Sequence, residues 1–539
     1  MGFGIYANSF NNDFLWDDKY LIVENNLIKD LSSVGAIFRS QLFEGSGRVS
    51  SFYRPMQNIS YSIDYHLWRL RPLGYHITNT IIHVVNSILL FLLILKLVGR
   101  KLKYCTGALI AAMLYVVHPV HTQAVTYIAG RADLLALFFL LLSAIFYMAG
   151  ERKIQNVAGA IFFILAILSK EPSVVFPVIF LIHDKVVKRN LNLVKIMPYL
   201  LIMVAYLVFR LTIMRFDPTI TEFSSLAFLP RIFTTMKAFS RYLLLLAWPT
   251  GLHMERVIPI SYNLADWKVI SSGILIVFSV WLGVKLRGRA GGLISFGIFW
   301  FIIGLLPVSN ILPLNAFISE HWLYIPAAGL AISLAASIGN ISGNVKRVII
   351  TSLCAGVVIL GGVTVGHNKV WRDGITFFNY GLTHNPGSYK LHAQLAVAYM
   401  EESKMSQAIS EFNRALEIKP NVHSYNNLGV IYLKEGKHNL AINNFKRALK
   451  LDENFVPACD NIGSAYYMMR NLEEAERWYE KSLKIRPDSA TAHNNLGVVY
   501  MDRSQLDKAL MAFNRALALD PDTEEAKINV KKIQDKLLR

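Results

Sequence analysis

Two neighbouring carboxylates, Asp17 and Asp18, lie in a segment of apolar and aromatic residues, FLWDDKY at positions 14–20. A carboxylate in such a setting loses solvation, so its pKa rises toward the range of a general base. A pair of carboxylates can instead hold a divalent cation, Mg²⁺ or Mn²⁺. The structural alternative is a solvated Asp-Asp turn or a cap on the following helix. The pair therefore predicts base chemistry or a metal site.

Further polar clusters recur where long apolar segments begin or end. They are residues 52–55 (FYRP), 74–76 (GYH, then Asn79 and His83), 118–121 (HPVH), 130–133 (GRAD), 170–172 (KEP) and 320–324 (EHWLY). Together they supply cations for a phosphate, a base for a hydroxyl and aromatic faces for a sugar or lipid. Singly, each is typical of a structural role. Arg131 can pair with Asp133 at a helix end, Lys170 can snorkel, and His118 can cap a helix.

The elements that must position these residues are apolar segments of near-spanning length. The chain is 53% hydrophobic and 17% charged, with a mean hydropathy of +0.37. The segments lie at about 77–98, 105–123, 133–150, 157–170, 172–184, 195–213, 267–284, 291–308, 323–340 and 347–366. Those at 157–170 and 172–184 are short for a hydrocarbon layer of ~30 Å. The composition indicates a polytopic α-helical membrane protein.

Basic residues occupy alternate loops, which the positive-inside rule places in the cytoplasm. They are Arg100, Lys101, Lys103, Arg152, Lys153, Lys185, Lys188, Arg189, Lys195, Lys285, Arg287, Arg289, Lys346 and Arg347. The segments 1–75, 118–131, 170–171, 216–267 and 307–322 then face outward, together with the C-terminal part. We interpret 231–248, which carries Arg241, as a helix at the interface. All the polar clusters therefore face one way, which packing alone does not explain.

The net charge of +18 does not indicate nucleic-acid binding, because many of the basic residues lie in these short loops. The sequence has no Gly-rich phosphate loop, zinc-spaced Cys or His pair, or nucleophile elbow. Its three cysteines, Cys105, Cys354 and Cys459, are too scattered for a disulfide framework or a metal site. We expect three buried free thiols.

After His367 the chain becomes polar and repeats every 33 or 34 residues. The repeated positions are Tyr399, Tyr432, Tyr466 and Tyr500, Ala408, Ala441, Ala475 and Ala509, and Phe412, Phe445, Tyr479 and Phe513. Small residues let paired helices approach, and aromatic residues fill the gap to the next pair. The pattern resembles the tetratricopeptide family. A half unit with Trp371 and Phe378 precedes the repeats, and 524–539 is typical of a charged capping helix.

The polar motifs, in this order and in front of such repeats, resemble those of the transmembrane-and-tetratricopeptide-repeat proteins, which are similar to protein O-mannosyltransferases of the glycosyltransferase C fold. The resemblance covers nearly the whole chain. It implies an all-α protein with a polytopic membrane domain at 1–366 and a tetratricopeptide α-solenoid at 367–539, whose four repeats lie at about 387–522.

The function that the resemblance implies is transfer of a sugar from a polyprenyl or dolichyl phosphate to a protein Ser/Thr hydroxyl or a glycan outside the cytoplasm. Mannose is the expected sugar. Asp17 or Asp18 is then the base or a metal ligand. Arg54, Arg131 and Lys170 contact the phosphate, and Arg131 is the first candidate among them. Further candidates for acceptor, donor or metal contacts are His76, His118, His121, Asp133, Glu171, Glu320, His321 and Tyr324. The repeats would bind the acceptor or a protein partner.

This chain departs from the family pattern at two places. The family has a membrane helix before the Asp pair, where this sequence has residues 1–14, and an arginine is frequent near Glu320, where it has His321 and Trp322. The membrane is expected to be a bacterial or archaeal cell membrane or the endoplasmic reticulum. The alternative function is a membrane-anchored scaffold for envelope or polysaccharide assembly, with no catalysis.

Overall fold

The computed structural model describes residues 1–99, 101–149, 153–214, 223, 225–288, 291–521 and 523–537. Three of the basic loop residues, Arg100, Arg152 and Arg289, lie outside the described residues. So do positions 215–222 and 224, which fall mainly in the loop predicted at 216–267, and the last two residues of the expected capping helix. The described chain is helical throughout its regular elements.

The chain divides into two compact units, a first unit of Met1–Asn385 and a second unit of Pro386–Arg539. The sequence analysis places the domain boundary after residue 366. The division between the units lies later because residues of the expected half unit pack inside the first unit. The ring of Trp371 stacks on that of Tyr127, with centroids 5.6 Å apart, and the ring centroids of Phe377 and Trp16 are 6.4 Å apart. The half unit thus forms part of the first unit.

The described residues of the first unit form sixteen α-helices. They are α1 (Gly2–Tyr6), α2 (Val34–Ile37), α3 (Pro55–Trp68), α4 (Pro72–Leu97), α5 (Leu102–Val117), α6 (Thr122–Val125), α7 (Arg131–Ala149), α8 (Lys153–Ser169), α9 (Phe176–Ile182), α10 (Leu193–Thr212), α11 (Phe228–Ala247), α12 (Trp267–Lys285), α13 (Gly292–Leu305), α14 (Tyr324–Asn340), α15 (Gly343–Asn368) and α16 (Gly374–His384). Its core lies between the long apolar helices, where Trp300, Phe176 and Tyr147 are fully buried.

Within the described ranges, six helices are long and apolar enough to cross a membrane. They are Pro72–Leu97, Ile128–Met148, Leu193–Thr212, Trp267–Lys285, Glu320–Asn340 and Gly343–Trp371, and Leu102–Val117 with Pro119–Val125 forms a bent seventh candidate. Lys153–Ser169 and Gly292–Val308 are apolar but shorter. The segment predicted at 172–184 holds only the seven-residue helix α9. Two prolines, Pro172 and Pro177, prevent a longer regular helix there.

The pair α13 and α14 shows how the apolar helices approach one another. A Cβ atom on Gly297 would overlap the carbonyl oxygen of Gly329, and a Cβ atom on Gly329 would lie 2.6 Å from the carbonyl oxygen of Gly297. Glycine at both positions therefore lets the two backbones come into contact, as small residues do between membrane helices.

Two further expectations concern α11 and the cysteines. Helix α11 carries Arg231, Lys237 and Arg241 and is not among the helices that could span by length and composition, which agrees with its interpretation as an interfacial helix. All three cysteines are free, but only Cys459 is buried, and Cys354 is exposed on α15. The prediction of three buried thiols is wrong for Cys105, which is partly exposed, and for Cys354, which lies one turn before the exposed Val358 on the same face of α15.

The second unit consists of helical hairpins and a final helix. These are α17 (Tyr389–Glu401) with α18 (Met405–Ile418), α19 (Val422–Lys434) with α20 (His438–Leu451), α21 (Val456–Met468) with α22 (Leu472–Ile485), α23 (Ala490–Asp502) with α24 (Leu506–Leu519), and α25 (Glu524–Leu537). Within a hairpin, the ring of the second helix covers the glycine of the first, as Phe445 covers Gly429. The predicted fold, a membrane helix bundle followed by a tetratricopeptide solenoid, is confirmed.

Candidate functional site

Several of the predicted site residues lie on or beside short turns that precede helices of the first unit. The four 3₁₀ turns are Pro119–His121 before α6, Ile128–Gly130 before α7, Glu171–Val175 before α9 and Glu320–Leu323 before α14. A turn that begins a helix exposes backbone N–H groups and side chains that the helix itself does not use. The loop before α3 brings Asp17 and Asp18 to the turn Ile128–Gly130.

Asp18 has a structural role in this loop. Its carboxylate oxygens accept from the backbone N–H of Leu15 at 2.9 Å and of Ala129 at 2.8 Å, and the residue is 1% exposed. Burial raises the pKa of Asp18, while these two hydrogen bonds act in the opposite direction. Asp18 is therefore neither a solvated turn residue nor a helix cap, because it joins two loops distant in sequence.

Asp17 is the more accessible of the two carboxylates. It is partly exposed, and its backbone N–H donates to the hydroxyl of Tyr127 at 3.0 Å. Burial raises the pKa of Asp17 above its ordinary value, and a hydrogen bond from Tyr127 and the charges of Arg48 and Arg54 partly offset this rise. The preceding Trp16 has φ of 46°, a left-handed conformation that costs a non-glycine residue energy and is found often at functional sites.

Arg131 is fully buried and is held entirely by protein groups. Its Nε donates to Asn79 at 2.7 Å, its Nη2 to the carbonyl of Tyr75 at 2.9 Å, and its Nη1 pairs with Asp64. Because every guanidinium nitrogen has a protein acceptor and the side chain is 0% exposed, none is directed at a substrate. The expectation that Arg131 clamps a phosphate is corrected to a structural tie between α3, α4 and α7.

Arg54, by contrast, keeps part of its guanidinium available. Its Nε donates to Glu171 at 3.0 Å, and its side chain lies over the ring of Phe52 with 15% exposure. Among the residues that the structure describes, no protein acceptor binds its two Nη groups. Glu171 also accepts from the backbone N–H of Tyr53 at 3.2 Å, so it fixes both the backbone and the side chain here.

Lys170 lies next to the pair of Arg54 and Glu171, but the charge of Lys170 is neutralised by Asp133. Its Nζ donates to both carboxylate oxygens of Asp133, at 2.7 and 2.6 Å, and both residues are buried. The charges of Lys170 and Arg54 both act on His321, which places these three residues near one another. We call Asp17, Arg48, Arg54, Lys170 and Glu171 the Asp17 cluster.

The other candidate histidines serve the fold. His76 contacts the carbonyl of Asn12 at 3.1 Å, and the His118 ring accepts from the N–H of Val120 at 3.2 Å as the cap that its position before Pro119 predicts. His121 packs its ring against Tyr324, with centroids 5.0 Å apart. Tyr324 itself is buried, and its hydroxyl bonds to His83 at 2.7 Å and to Asn86 at 3.1 Å.

Glu320 is paired with a residue that the motifs did not indicate. Its Oε1 accepts from the Nη2 of Arg256 at 2.9 Å and from the N–H of His253 at 2.8 Å. Arg256 comes from the loop after α11 and supplies the positive charge that the 320–324 motif itself lacks. His321 is held by Gln123 at its N–H and by Ser319 at Nδ1.

Four residues of the site were missed by sequence reasoning: Arg48, Asp64, Tyr127 and Arg256. Asp64 could have been found from the sequence, because it is an acidic residue three positions after Tyr61 on α3. In the structure Arg131 contacts both residues. Tyr127 lies three residues before the motif at 130–133. Arg48 and Arg256 lie in irregular loops, where no periodicity relates them to their partners.

The predicted metal site involves Asp17 and Asp18. No group of three His, Cys, Asp or Glu residues suited to a metal occurs in the described part of the chain. Both oxygens of Asp18 accept from backbone N–H groups, which leaves the carboxylate of Asp17 as the more accessible ligand. Mg²⁺ is often held by one or two carboxylates together with waters and substrate phosphates, so metal binding by Asp17 stays a prediction, and the steps below use Asp17 as the base.

Fold and site together define a polytopic helical membrane protein with a carboxylate and cation cluster at its helix ends, followed by tetratricopeptide repeats. Models of the tetratricopeptide repeat match residues 389–422, 423–455 and 458–522. Over about three quarters of its length the chain is also similar to the protein O-mannosyl-transferases described next.

Three relatives match about three quarters of the chain. A protein O-mannosyl-transferase of Caenorhabditis elegans is 28% identical over 437 residues, 77% of this chain and 61% of the relative. The protein O-mannosyl-transferase TMTC3 of Mus musculus is 24% identical, over 77% of this chain and 50% of the relative. The protein O-mannosyl-transferase TMTC4 of Homo sapiens is 26% identical, over 75% of this chain and 63% of the relative. The chain thus spans between 50% and 63% of the length of these relatives.

Solved structures similar to this chain are tetratricopeptide proteins. YrrB, a TPR protein with an unusual peptide-binding site, is 24% identical, with a TM-score of 0.27 and coverage of 32% of this chain and 89% of its own. MamA, known from a crystal structure, is 23% identical, with a TM-score of 0.26 and coverage of 27% of this chain and 86% of MamA.

Proposed function

We propose that the protein is a membrane glycosyltransferase that moves a sugar, mannose foremost, from a polyprenyl or dolichyl phosphate to a hydroxyl acceptor outside the cytoplasm. The observation that carries the proposal is Asp17, a partly exposed carboxylate of raised pKa beside Arg48 and Arg54. The names of the relatives, which are protein O-mannosyl-transferases, support a protein Ser/Thr hydroxyl as the acceptor. A glycan hydroxyl is chemically equivalent.

In this proposal Asp17 is the general base. Its carboxylate takes the proton of the acceptor hydroxyl while that oxygen bonds to the anomeric carbon of the sugar, and the bond from the same carbon to the phosphate oxygen breaks. The sugar passes through an oxocarbenium-like state, and its configuration inverts. The raised pKa makes Asp17 a stronger proton acceptor than a solvated carboxylate, and the cations keep it ionised.

The leaving phosphate needs positive charge, which Arg54 supplies in this proposal. Its two Nη groups have the fork geometry that binds two phosphate oxygens, and its Nε bond to Glu171 fixes their direction. Arg48 is exposed and would assist from the rim of the cluster. Lys170 is already neutralised by Asp133, so we assign it to positioning Arg54 and Glu171.

Sugar transfer from radiolabelled polyprenyl-phosphate mannose or glucose, in membranes that carry the protein, tests the proposal. We expect label in protein or glycan from one of the two donors, in the presence and in the absence of EDTA. No transfer from either donor under any metal condition would favour the alternative function, a membrane-anchored scaffold without catalysis.

Substitution of Arg54 by Gln should raise the KM for the lipid-linked donor about tenfold to a hundredfold. The reason is the loss of a charged hydrogen bond to phosphate, which contributes about 1.5–3 kcal/mol. Donor titration in the transfer assay measures this change. Arg39→Gln, which removes an exposed arginine from the same N-terminal region, is the matched control. An unchanged donor KM in Arg54→Gln would exclude Arg54 as the phosphate ligand.

The second unit is proposed to bind the acceptor protein or a partner. Stacked repeats present an extended surface, and tethering an acceptor there would raise its concentration near Asp17. Deletion of residues 387–539 should therefore raise the acceptor KM at least about tenfold and leave the donor KM unchanged. The two titrations on the full chain and the deletion variant measure this. Equal loss toward both substrates would contradict the tethering role.

The membrane side of the cluster is also a proposal. The alternate basic loops support a position of the Asp17 cluster and the repeats outside the cytoplasm, in a bacterial or archaeal cell membrane or in the endoplasmic reticulum. Such a side fits a polyprenyl-linked donor, whose lipid carries the sugar to that surface.

A further inference from the structure

A cavity separate from the Asp17 cluster lies where the turn after α9 meets α12 and α13. Its volume is about 560 Å³. Its lining combines three cations with apolar side chains. The cations are Lys185, Arg189 and Arg287, and the apolar part includes Ile182, Val284 and Phe299. This combination differs from the site above, because no carboxylate lines it.

The cations of this cavity are not neutralised by protein groups. No ion pair involving Lys185, Arg189 or Arg287 occurs among the residues that the structure describes. The adjacent acid, Asp184, is buried and already bonded to His183 at 3.0 Å and to Tyr147 at 2.7 Å. The cavity therefore carries uncompensated positive charge, which favours an anion of phosphate type.

One hydrogen bond joins the two rims of the cavity. The Nη2 of Arg189 donates to the backbone carbonyl of Arg287 at 3.2 Å. Arg189, with φ of 57°, ends the helical turn His183–Lys188. The side chains of Lys185, Arg189 and Arg287 are exposed, so all three cations are accessible to an anion.

The position of the cavity indicates a lipid rather than a soluble anion. Helix α12 is a candidate membrane span whose outer face is exposed, with Val277 at 68% and Phe278 at 52%. One turn before Val284, Trp281 is 49% exposed, and the Nζ of Lys285 lies 4.5 Å from its ring centroid. Tryptophan and lysine in this arrangement mark the level of lipid headgroups. The cavity lies at the same end of α12.

We propose that this cavity binds an anionic phospholipid of the surrounding membrane. The phosphate contacts Lys185, Arg189 and Arg287, and an acyl chain follows Ile182, Val284 and Phe299 toward the exposed face of α12. The shape of the site accounts for both halves of this ligand, since a free phosphate would leave the apolar wall without a partner. The proposal does not depend on sugar transfer.

The test is lipid binding to the purified full chain in neutral detergent, with short-chain phosphatidylglycerol, short-chain phosphatidylcholine and inorganic phosphate as probes. Native mass spectrometry and the shift of the thermal unfolding midpoint measure the binding. We expect phosphatidylglycerol to bind and to raise the midpoint, and the other two probes to have little effect. Equal binding of phosphatidylcholine, or protection by inorganic phosphate alone, would overturn the proposal.

Variants localise the effect. Lys185→Gln/Arg287→Gln should weaken phosphatidylglycerol binding about tenfold or more, since each cation near a membrane contributes about 1 kcal/mol. The double variant Arg39→Gln/Lys268→Gln removes two exposed cations elsewhere and should bind like the wild type. Lys185→Arg/Arg287→Lys keeps the charge and should retain binding. Equal binding by the Gln double variant and the wild type would place the lipid elsewhere.

Discussion

Replacement of Asp17 by Asn should reduce the rate of sugar transfer about 10²- to 10⁴-fold, the range that a lost general base costs. The substitution keeps the size of the side chain but removes the proton acceptor. In the proposed mechanism the donor phosphate contacts Arg54 and not Asp17, so the donor KM should change little. Transfer kinetics of Asp17→Asn against the wild type, with protein amounts matched by quantitative blotting, measure this.

Asp18 is the matched control for this substitution. Asp18→Asn leaves a neutral side chain at the adjacent position, but it disrupts bonds to two backbone N–H groups, since only one amide oxygen remains as an acceptor. We expect a loss of stability of about 1–3 kcal/mol, seen as a lower unfolding midpoint. Asp17→Asn should leave the midpoint near that of the wild type. Full transfer activity in Asp17→Asn would exclude Asp17 as the base.

The pH profile offers a further sign of Asp17. A base acts only when it is ionised, and burial raises the pKa of Asp17 above 3.8. Activity should therefore fall as the pH decreases through this raised pKa, at a higher pH than an ordinary aspartate would require. In Arg48→Gln the midpoint of this fall should move to higher pH, because a charge that lowers the pKa of Asp17 has been removed.

Features that repeat along the chain could be predicted from the sequence. The apolar segments and the tetratricopeptide positions are encoded by spacing within 20 to 34 residues, and the helices were found where the patterns indicated. The division between the units was less accessible. It depends on the packing of Trp371 on Tyr127, and these residues are far apart in the sequence.

The candidate site shows the same limit. Motif order identified Asp17, Arg54 and Glu171 as neighbours of a functional region, and the structure brings Arg54 and Glu171 within 3.0 Å. Motif order could not distinguish the role of Asp17 from that of Asp18, because the partner of Asp18 is a backbone N–H 111 positions away. The same holds for Glu320, whose arginine partner comes from a loop 64 positions earlier.

Arg131 provides the sharpest contrast between motif and environment. Conversion of Arg131 to Met should lower the stability of the first unit by about 3–5 kcal/mol, because it leaves the carboxylate of Asp64 buried without its counterion. Unfolding of the purified protein in detergent, followed by intrinsic fluorescence, measures the loss. The double variant Arg131→Met/Asp64→Leu removes both charges and should recover a large part of the stability.

These two variants distinguish a structural tie from a phosphate ligand. If Arg131 only ties α3, α4 and α7 together, the double variant should regain transfer activity along with stability, and its donor KM should approach that of the wild type. If Arg131 contacted the donor phosphate, the double variant would fold but keep a raised donor KM, as Arg54→Gln does. Recovery in the double variant would therefore assign the phosphate contact to Arg54, whose Nη groups face no protein acceptor in the described structure, and the fold to Arg131.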